Sequence, residues 1–182
     1  RVLEEAGWVH AGGDGIREKD GQTFTIRWLT YPSRQELPLL AESVQATLGD
    51  IGFDVIINST ADHNRIRVDS TAWDVYASAM VTAPTGDPAY FFSTHCLDSS
   101  VVNNGHYHND ELESLAAELD QTFDTDRRAE LAVEMQQILL DDDAFVFCSH
   151  LQMSMISQSD VTGLVAHPCD FYEITVDLRP VE

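Results

Sequence analysis

The chain has 182 residues, of which 43% are hydrophobic, and a formal net charge of −21. This length and composition suit a globular domain of ordinary size with a buried core. The charge excludes nucleic acid as a partner, because no basic stripe is available to neutralise phosphates, and an anionic membrane surface would repel the chain. No run approaches the ~18 apolar residues of a membrane span.

The first half of the sequence predicts a strand, a helix and a strand in succession. Residues 23–30 alternate with period two and are rich in aromatic and β-branched residues, which is typical of a strand. Residues 34–49 carry apolar positions at helical spacing, and residues 53–57 form a second strand. This order predicts a βαβ unit with a right-handed crossover. A short helix or loop is expected at 62–69, and a third strand at 73–80.

A rigid loop, residues 82–88, follows the third predicted strand. Ligands favour the carboxyl ends of strands in open α/β sheets, so this loop is a candidate for ligand contact. Backbone amides and the hydroxyls of Thr82 and Thr85 would orient the ligand. An equally weighted alternative is that Pro84, Gly86 and Pro88 only shape a loop.

The second half predicts three helices and then strands. A helix is expected at 88–94, Asn109 caps a second helix, and Asp124 or Thr125 caps a longer third helix. Three acids at 141–143 oppose the macrodipole of that helix, so its end is expected to be exposed and frayed. Strands are expected at 145–149, 153–156 and 172–178. The predicted fold class is α/β with a mixed sheet flanked by helices.

Three cysteines occur, Cys96, Cys148 and Cys169. An odd number allows one disulfide and one free thiol, and the connectivity does not follow from the sequence. We favour three small, partly buried apolar side chains. Lys19 is the only lysine, and an acidic, lysine-poor surface is compatible with a salt-adapted source.

A histidine-rich stretch contains the most specific catalytic pattern in the chain. His106, His108 and Asp110 follow the His-x-His-x-Asp spacing of binuclear zinc hydrolases. Those enzymes require a further histidine directly after the aspartate, and Glu111 stands there instead. A surface loop is the favoured interpretation, and a zinc-dependent hydrolase remains the alternative from another functional class.

Several stretches resemble one family in the same order along the chain. Residues 4–8 and 14–21 resemble the start of the second lobe in family 5 extracellular solute-binding proteins, which are the oligopeptide, dipeptide and nickel receptors of ABC importers. Further similar stretches follow at 48–55, 73–75, 82–88, 104–107 and 125–128. The tail, 161–174, resembles the nickel-type branch more than the peptide-type branch.

The resemblance implies a type II periplasmic-binding-protein-like second lobe at 1–149 and a tail at 150–182 that returns to a missing first lobe. About half of the protein, with any targeting segment, is then expected to lie upstream. The implied function is capture of a nickel complex, or alternatively of an oligopeptide or dipeptide, for an ABC permease. The implied location is periplasmic or lipid-anchored at the outer face of the cell membrane. Neither catalysis nor a cofactor is expected.

The resemblance also implies candidate ligand contacts. In some nickel receptors aromatic side chains of the loop stack on the ligand, but this sequence has Met80 and Thr85 at the corresponding positions and so departs from that pattern. A histidine of a nearby loop can complete the coordination of a chelated metal, and neutral imidazole suits nickel. His95 is the candidate here, although its spacing from 87–88 is short. The predicted contacts are Met80, Thr82, Thr85 and His95.

Overall fold

The computed structural model describes residues 1–10, 12–13, 15–151, 154–165 and 175–181. Its helices are α1 (Val2–Glu5), α2 (Glu36–Gly49), α3 (His63–Ile66), α4 (Ala89–His95), α5 (Asp110–Gln121) and α6 (Thr125–Asp141). Its strands are β1 (Val9–His10), β2 (Arg17–Lys19), β3 (Gln22–Thr23), β4 (Thr25–Thr30), β5 (Asp54–Ser59), β6 (Val75–Tyr76), β7 (Val161–Thr162) and β8 (Arg179–Pro180). The chain divides into two compact units, Arg1–Met80 (unit 1) and Val81–Glu182 (unit 2).

Unit 1 is built on a three-stranded parallel sheet with strand order β5-β4-β6. β4 pairs with β5 from Thr25↔Asp54 to Thr30↔Ser59, with α2 between them in the chain, so the predicted strand-helix-strand order is confirmed. β6 is much shorter than the predicted 73–80. Beyond it, the Ala79 amide donates to the Tyr31 hydroxyl instead of a backbone carbonyl, and the ladder ends.

The core of unit 1 lies between α2 and this sheet. Trp28 and Val55 from the sheet meet Ala41 from the helix, and partly buried apolar residues such as Val44 and Leu48 pack around them. The helical spacing seen in the sequence therefore faces the sheet. Gln45 ties the two layers together, because its amide donates to the Val55 carbonyl at 2.6 Å.

A small antiparallel sheet, β1-β2-β3, is attached to this core through a buried arginine. Arg17 donates to the carbonyls of Trp8 and Ile51, each at 2.8 Å. Its aliphatic stem lies against Gly52 in the turn between α2 and β5. Gly52 has φ +93°, a left-handed conformation that side chains with a Cβ rarely adopt.

Gly52→Ala is expected to lower the free energy of unfolding by about 1–3 kcal/mol. A Cβ at this position would lie 2.7 Å from Arg17 Cγ and 3.0 Å from the Gly15 carbonyl oxygen. Urea unfolding measures the change. Gly49→Ala is the matched control: it ends α2 with no atom within 4 Å of the added methyl group. It is expected to be neutral or to stabilise by up to about 1 kcal/mol. Equal losses for both variants would contradict the steric account.

Unit 2 contains a helical core formed by α4, α5 and α6. Its most deeply buried members are Leu112 and Leu119 on α5 and Leu131, Met135 and Leu139 on α6. Both predicted caps are confirmed. The Asn109 side chain accepts hydrogen bonds from the Glu111 and Leu112 amides, and Asp124 accepts one from the Arg127 amide. These bonds satisfy amides that a helix start otherwise leaves unpaired.

The strand predictions in the second half of the chain are wrong where the structure describes them. Residues 145–149 form no strand, and 175–178 form a turn. Residues 154–156 are also irregular, while 153 and 172–174 lie outside the described residues. The observed strands here are β7 and β8, paired antiparallel. The α/β class is confirmed, with parallel and antiparallel pairing in separate small sheets.

The cysteines differ in their surroundings. Cys96 is buried in the helical core, and burial raises the pKa of its thiol to about 12, as the prediction of a small apolar side chain requires. Cys148 is exposed, so that prediction is wrong for it. Cys169 lies outside the described residues. Among the described residues, no helix combines the length and the apolar character that crossing a bilayer would need.

Candidate functional site

The carboxyl ends of β4, β5 and β6 share one edge of the sheet, because the three strands are parallel. Tyr31 directly follows β4, Tyr76 ends β6, and His63 begins α3 just after β5. We call these three residues the sheet-edge cluster. Open α/β sheets bind ligands at this edge, so the cluster is the candidate site of unit 1.

The side chains of the sheet-edge cluster are held against one another. The rings of Tyr31 and His63 stack with centroids 4.0 Å apart and an interplanar angle of 23°. His63 Nδ1 lies 2.8 Å from the Tyr76 hydroxyl oxygen. The Tyr31 hydroxyl accepts the Ala79 amide, and the Trp73 ring lies 6.0 Å from that of Tyr76. The cluster is therefore a set of planar surfaces fixed before any ligand arrives.

Burial keeps the cluster uncharged near neutral pH. It lowers the pKa of His63, and the positive charge of Arg67 lowers it further. Burial also raises the pKa of Tyr76 to about 12, with a smaller contribution from Tyr31. A neutral imidazole hydrogen-bonded at Nδ1 leaves Nε2 as its second functional nitrogen, and Nε2 lies 3.3 Å from the Asn64 amide nitrogen. Neutral histidine is the form that binds metals.

The loop at 82–88 belongs to unit 2 and leads into α4. The Gly86 amide donates to the Ala83 carbonyl at 3.0 Å, and Gly86 has φ +81°, so this glycine closes a tight turn. Thr82 and Thr85 are both exposed on the loop. Their hydroxyls are thus accessible, as a ligand contact requires.

An ion pair anchors this loop to the helical hairpin. Asp87 Oδ1 accepts from the Ala89 amide at 2.9 Å and from Arg128 at 2.5 Å. Arg128 also donates to the carbonyls of Leu119 and Thr122 at the end of α5. One guanidinium group therefore joins the start of α4 to the end of α5.

Asp87→Asn is expected to lower the free energy of unfolding at pH 7 by about 1–2 kcal/mol, since Asp87 is half-exposed and its ion pair is partly screened. The Ala89 amide and Arg128 lower the pKa of Asp87 below its unfolded value. The bridge therefore stabilises the fold above about pH 4, and this contribution is lost as the pH falls through the folded pKa.

Urea unfolding at pH 7 and at pH 3 measures this difference. The gap between the wild-type chain and Asp87→Asn should be widest at pH 7 and shrink in acid. Asp120→Asn, at an exposed position on α5, should stay within about 0.5 kcal/mol of wild type at both values. A gap that does not change with pH would contradict an ionic role for Asp87.

The predicted ligand contacts are distributed over both units. Met80 is the last residue of unit 1, whereas Thr82, Thr85 and His95 belong to unit 2. His95 ends α4, at the opposite end from the loop and about 10 Å along the helix axis. Its ring lies 5.6 Å from that of Phe91. The loop and His95 are therefore not adjacent along α4.

Sequence reasoning missed all three residues of the sheet-edge cluster. A signal was available, because Tyr31 and His63 each stand one to four residues after a strand that was predicted correctly. The missing information was the parallel pairing of β6 with β4, which brings the third strand end to the same edge as the other two.

The histidine-rich stretch forms a network of polar side-chain contacts at the start of α5. His108 Nδ1 lies 2.8 Å from Asp98 and Nε2 lies 3.3 Å from Asp110.

The acidic end of α6 is exposed but hydrogen-bonded, because Asp142 accepts from the Tyr107 hydroxyl at 2.7 Å and from the Asn109 amide at 2.8 Å. No group of three or more metal-binding side chains that could hold an ion occurs in the part of the chain described here.

Comparison with known proteins finds relatives that are nickel-binding or oligopeptide-binding proteins. No family model matches the chain. It is 26% identical to the nickel-binding protein NikA of Staphylococcus aureus over 160 residues, which cover 86% of this chain and 33% of that protein. It is also 26% identical to the oligopeptide-binding protein AppA of Bacillus subtilis, over 96% of this chain and 33% of that protein.

Solved structures agree in fold. The nickel ABC transporter structure from Bacillus halodurans matches with a TM-score of 0.69 and 30% identity, over 78% of this chain and 29% of that one. NikA of S. aureus, solved in complex with Ni(L-His)2, matches with a TM-score of 0.65 and 25% identity, over 75% and 27% of the two chains. The type II periplasmic-binding-protein fold is thereby confirmed. The chain spans about a third of the length of the curated relatives it matches. In sequence and in fold the chain is similar to nickel-binding and oligopeptide-binding solute receptors, and it corresponds to a fragment of them.

Proposed function

We propose that this chain is the carboxy-terminal lobe of an ABC-importer receptor that captures a nickel complex outside the cytoplasm. The observation that carries the proposal is the sheet-edge cluster. It places two aromatic rings and a neutral imidazole at the carboxyl edge of a parallel sheet, in a chain related to nickel-binding and oligopeptide-binding proteins. The receptor would be periplasmic or lipid-anchored, and an ABC permease would be its membrane partner.

The proposed mechanism is binding without chemical change. A ligand that contacts two lobes favours the closed form by the difference between its affinities for the closed and open forms. The closed receptor would then dock on the permease. This chain would supply one of the two contact faces, and the sheet-edge cluster would be part of it. Met80, Thr82, Thr85 and His95 remain predicted contacts.

The other contact face would come from a first lobe of the same chain. Exposed apolar side chains after α6 support this part of the proposal, among them Val146 and Ile156, which are 86% and 92% exposed. Solvent exposure of such residues is unfavourable, and a covering lobe would remove them from water. We therefore retain the division into a lobe at 1–149 and a tail at 150–182 as a proposal.

The alternative cargo is a short peptide. Peptide receptors bind an extended main chain and require charged groups for its termini. The relationship to an oligopeptide-binding protein supports this alternative. The neutral state of His63 favours the nickel complex, because imidazole nitrogen suits that metal.

Calorimetric titration of the full-length receptor tests the proposal. Nickel supplied with excess L-histidine should bind, and His63→Ala should weaken binding by about 10-fold or more, since a half-buried polar partner is lost. His108→Ala is the matched control and should bind as wild type does, because its ring is engaged by Asp98 and Asp110. Tight binding of peptides alone would select the alternative cargo, and binding of neither ligand would reject the receptor proposal.

A further inference from the structure

The five asparagines of the chain differ in what their side chains do. Four of them form side-chain hydrogen bonds: Asn64, Asn103, Asn104 and Asn109. Asn58 is exposed, and its side chain forms no hydrogen bond with any described residue. The Asn58 carboxamide is therefore open to reagents from outside the chain, and no described contact depends on it.

Asn58 lies near the end of β5, on the face of the sheet that is turned away from α2. Val55 and Ile57 of the same strand pack in the core that α2 covers. Because side chains alternate along a strand, Ile56 and Asn58 point to the opposite face. β5 is also an edge strand in the order β5-β4-β6, so one of its sides has no neighbouring strand among the described residues. An enzyme can therefore approach Asn58 from the face and from the edge of the sheet.

Asn58 begins a short pattern with a known chemical use. Asn58, Ser59 and Thr60, which we call the acceptor triplet, follow the Asn-x-Ser/Thr spacing that N-linked glycosylation modifies on the surface of secreted proteins. None of the other four asparagines has a serine or threonine two residues later. The asparagine that carries the pattern is thus the one whose side chain has no structural bond.

The local structure of the acceptor triplet fits this use. Ser59 is exposed, and Thr60 is half-buried in the turn that follows β5. The Thr60 hydroxyl oxygen accepts a hydrogen bond from the Asp62 amide at 3.2 Å. The hydroxyl hydrogen remains available as a donor, which is the group that distinguishes serine and threonine at this position of the pattern.

We propose that Asn58 is N-glycosylated when the receptor leaves the cytoplasm. The inference rests on the extracytoplasmic location in the proposed function and adds a covalent modification to it. The donor is an oligosaccharide joined through its anomeric carbon to a lipid phosphate. The Asn58 amide nitrogen forms a bond to that carbon, and the bond from the carbon to the phosphate oxygen breaks. The lipid phosphate leaves with the electron pair, a base takes the amide proton, and nothing is oxidised or reduced.

The attached sugar would cover an exposed apolar side chain. Ile56 is 52% exposed and lies two residues before Asn58 on the same face of the strand, about 7 Å away. An edge strand with exposed apolar side chains can pair with another chain. A bulky, hydrated group on Asn58 would shield Ile56 and hinder such pairing, which gives the modification a physical role.

Mass spectrometry of the full-length receptor purified from its native host tests the proposal. Trypsin should release residues 35–65 as one peptide, because Arg34 and Arg65 are its flanking cleavage sites and no lysine or arginine lies between them. In the wild-type receptor this peptide should carry an added oligosaccharide mass, and fragmentation should place that mass on Asn58. A 35–65 peptide found only in its unmodified form overturns the proposal.

Variants expressed in the same host separate the pattern from mere exposure. Asn58→Gln should lose the added mass completely, and Thr60→Ala should lose it although the asparagine is still present. Thr60→Ser keeps the hydroxyl and should stay glycosylated. Ser59→Ala is the matched control and should also stay glycosylated, because the middle position excludes only proline. Added mass that persists in Asn58→Gln or in Thr60→Ala contradicts the acceptor triplet.

The location of the receptor and its ligand binding are measured on the same preparation. A receptor recovered from outside the cytoplasm with an unmodified Asn58 rejects this inference and leaves the receptor function standing. Recovery from the cytoplasm alone rejects the proposed location and this inference with it. A glycosylated receptor that binds neither nickel with L-histidine nor a peptide supports the inference and rejects the proposed cargo.

Discussion

Leu139→Ala is expected to lower the free energy of unfolding by about 3–5 kcal/mol, the range for removing a fully buried leucine side chain. Leu139 is 0% exposed and lies on α6 in the helical core, together with Met135, Leu131 and Leu119. Truncation removes apolar contacts and leaves a cavity that rigid helices fill only partly. Urea unfolding followed by far-ultraviolet circular dichroism measures the loss, which corresponds to a fall in Tm of roughly 10 °C for a chain of this size.

Leu140→Ala is the matched control for this prediction. It makes the same chemical change one residue later on the same helix, where the side chain is 50% exposed. Its cost should be under about 1 kcal/mol, because little transfer energy is lost and alanine favours the helix. Similar losses at both positions would mean that α6 does not face the core as described.

A rise in salt from about 0.02 M to 1 M is expected to stabilise the chain by on the order of 5 kcal/mol. The net charge is −21, and the excess of acidic residues makes the folded chain repel itself. Added salt shortens the screening length from about 20 Å to about 3 Å and weakens that repulsion. Thermal melting at several sodium chloride concentrations should show Tm rising by roughly 10 °C or more.

The pH dependence of the salt effect is its internal control. Near the sequence pI of about 4.3 the net charge approaches zero, so the same salt series should change Tm by only a few degrees. A salt effect of equal size at pH 7 and near the pI would point to salting-out of apolar surface and would rule out relief of repulsion as the cause.

The periodicity of the sequence was sufficient to predict several helices and strands. Alternation predicted the strand that became β4, and helical spacing predicted α2, α5 and α6. Asn109 and Asp124 were recognisable as caps because their side chains compete locally for free amides. The acidic composition likewise excluded nucleic acid and an anionic membrane surface as partners, and it predicted that the stability of the fold depends on salt. These features depend on residues close together in the chain, and so they can be read without the fold.

Contacts between distant segments decided the rest. A continuous apolar stretch forms a strand only where a neighbour offers backbone hydrogen bonds, and 145–149 has no such neighbour among the described residues. β6 likewise ends early, because the Ala79 amide beyond it donates to the hydroxyl of Tyr31, which lies 48 residues before Ala79 in the chain. The grouping of Tyr31, His63 and Tyr76 needed the parallel pairing of three strands. Sequence by itself thus determined the main helices, the strands β4 and β5 and the family resemblance. The later strands and the candidate site were decided by tertiary structure, because their residues meet only through long-range strand pairing.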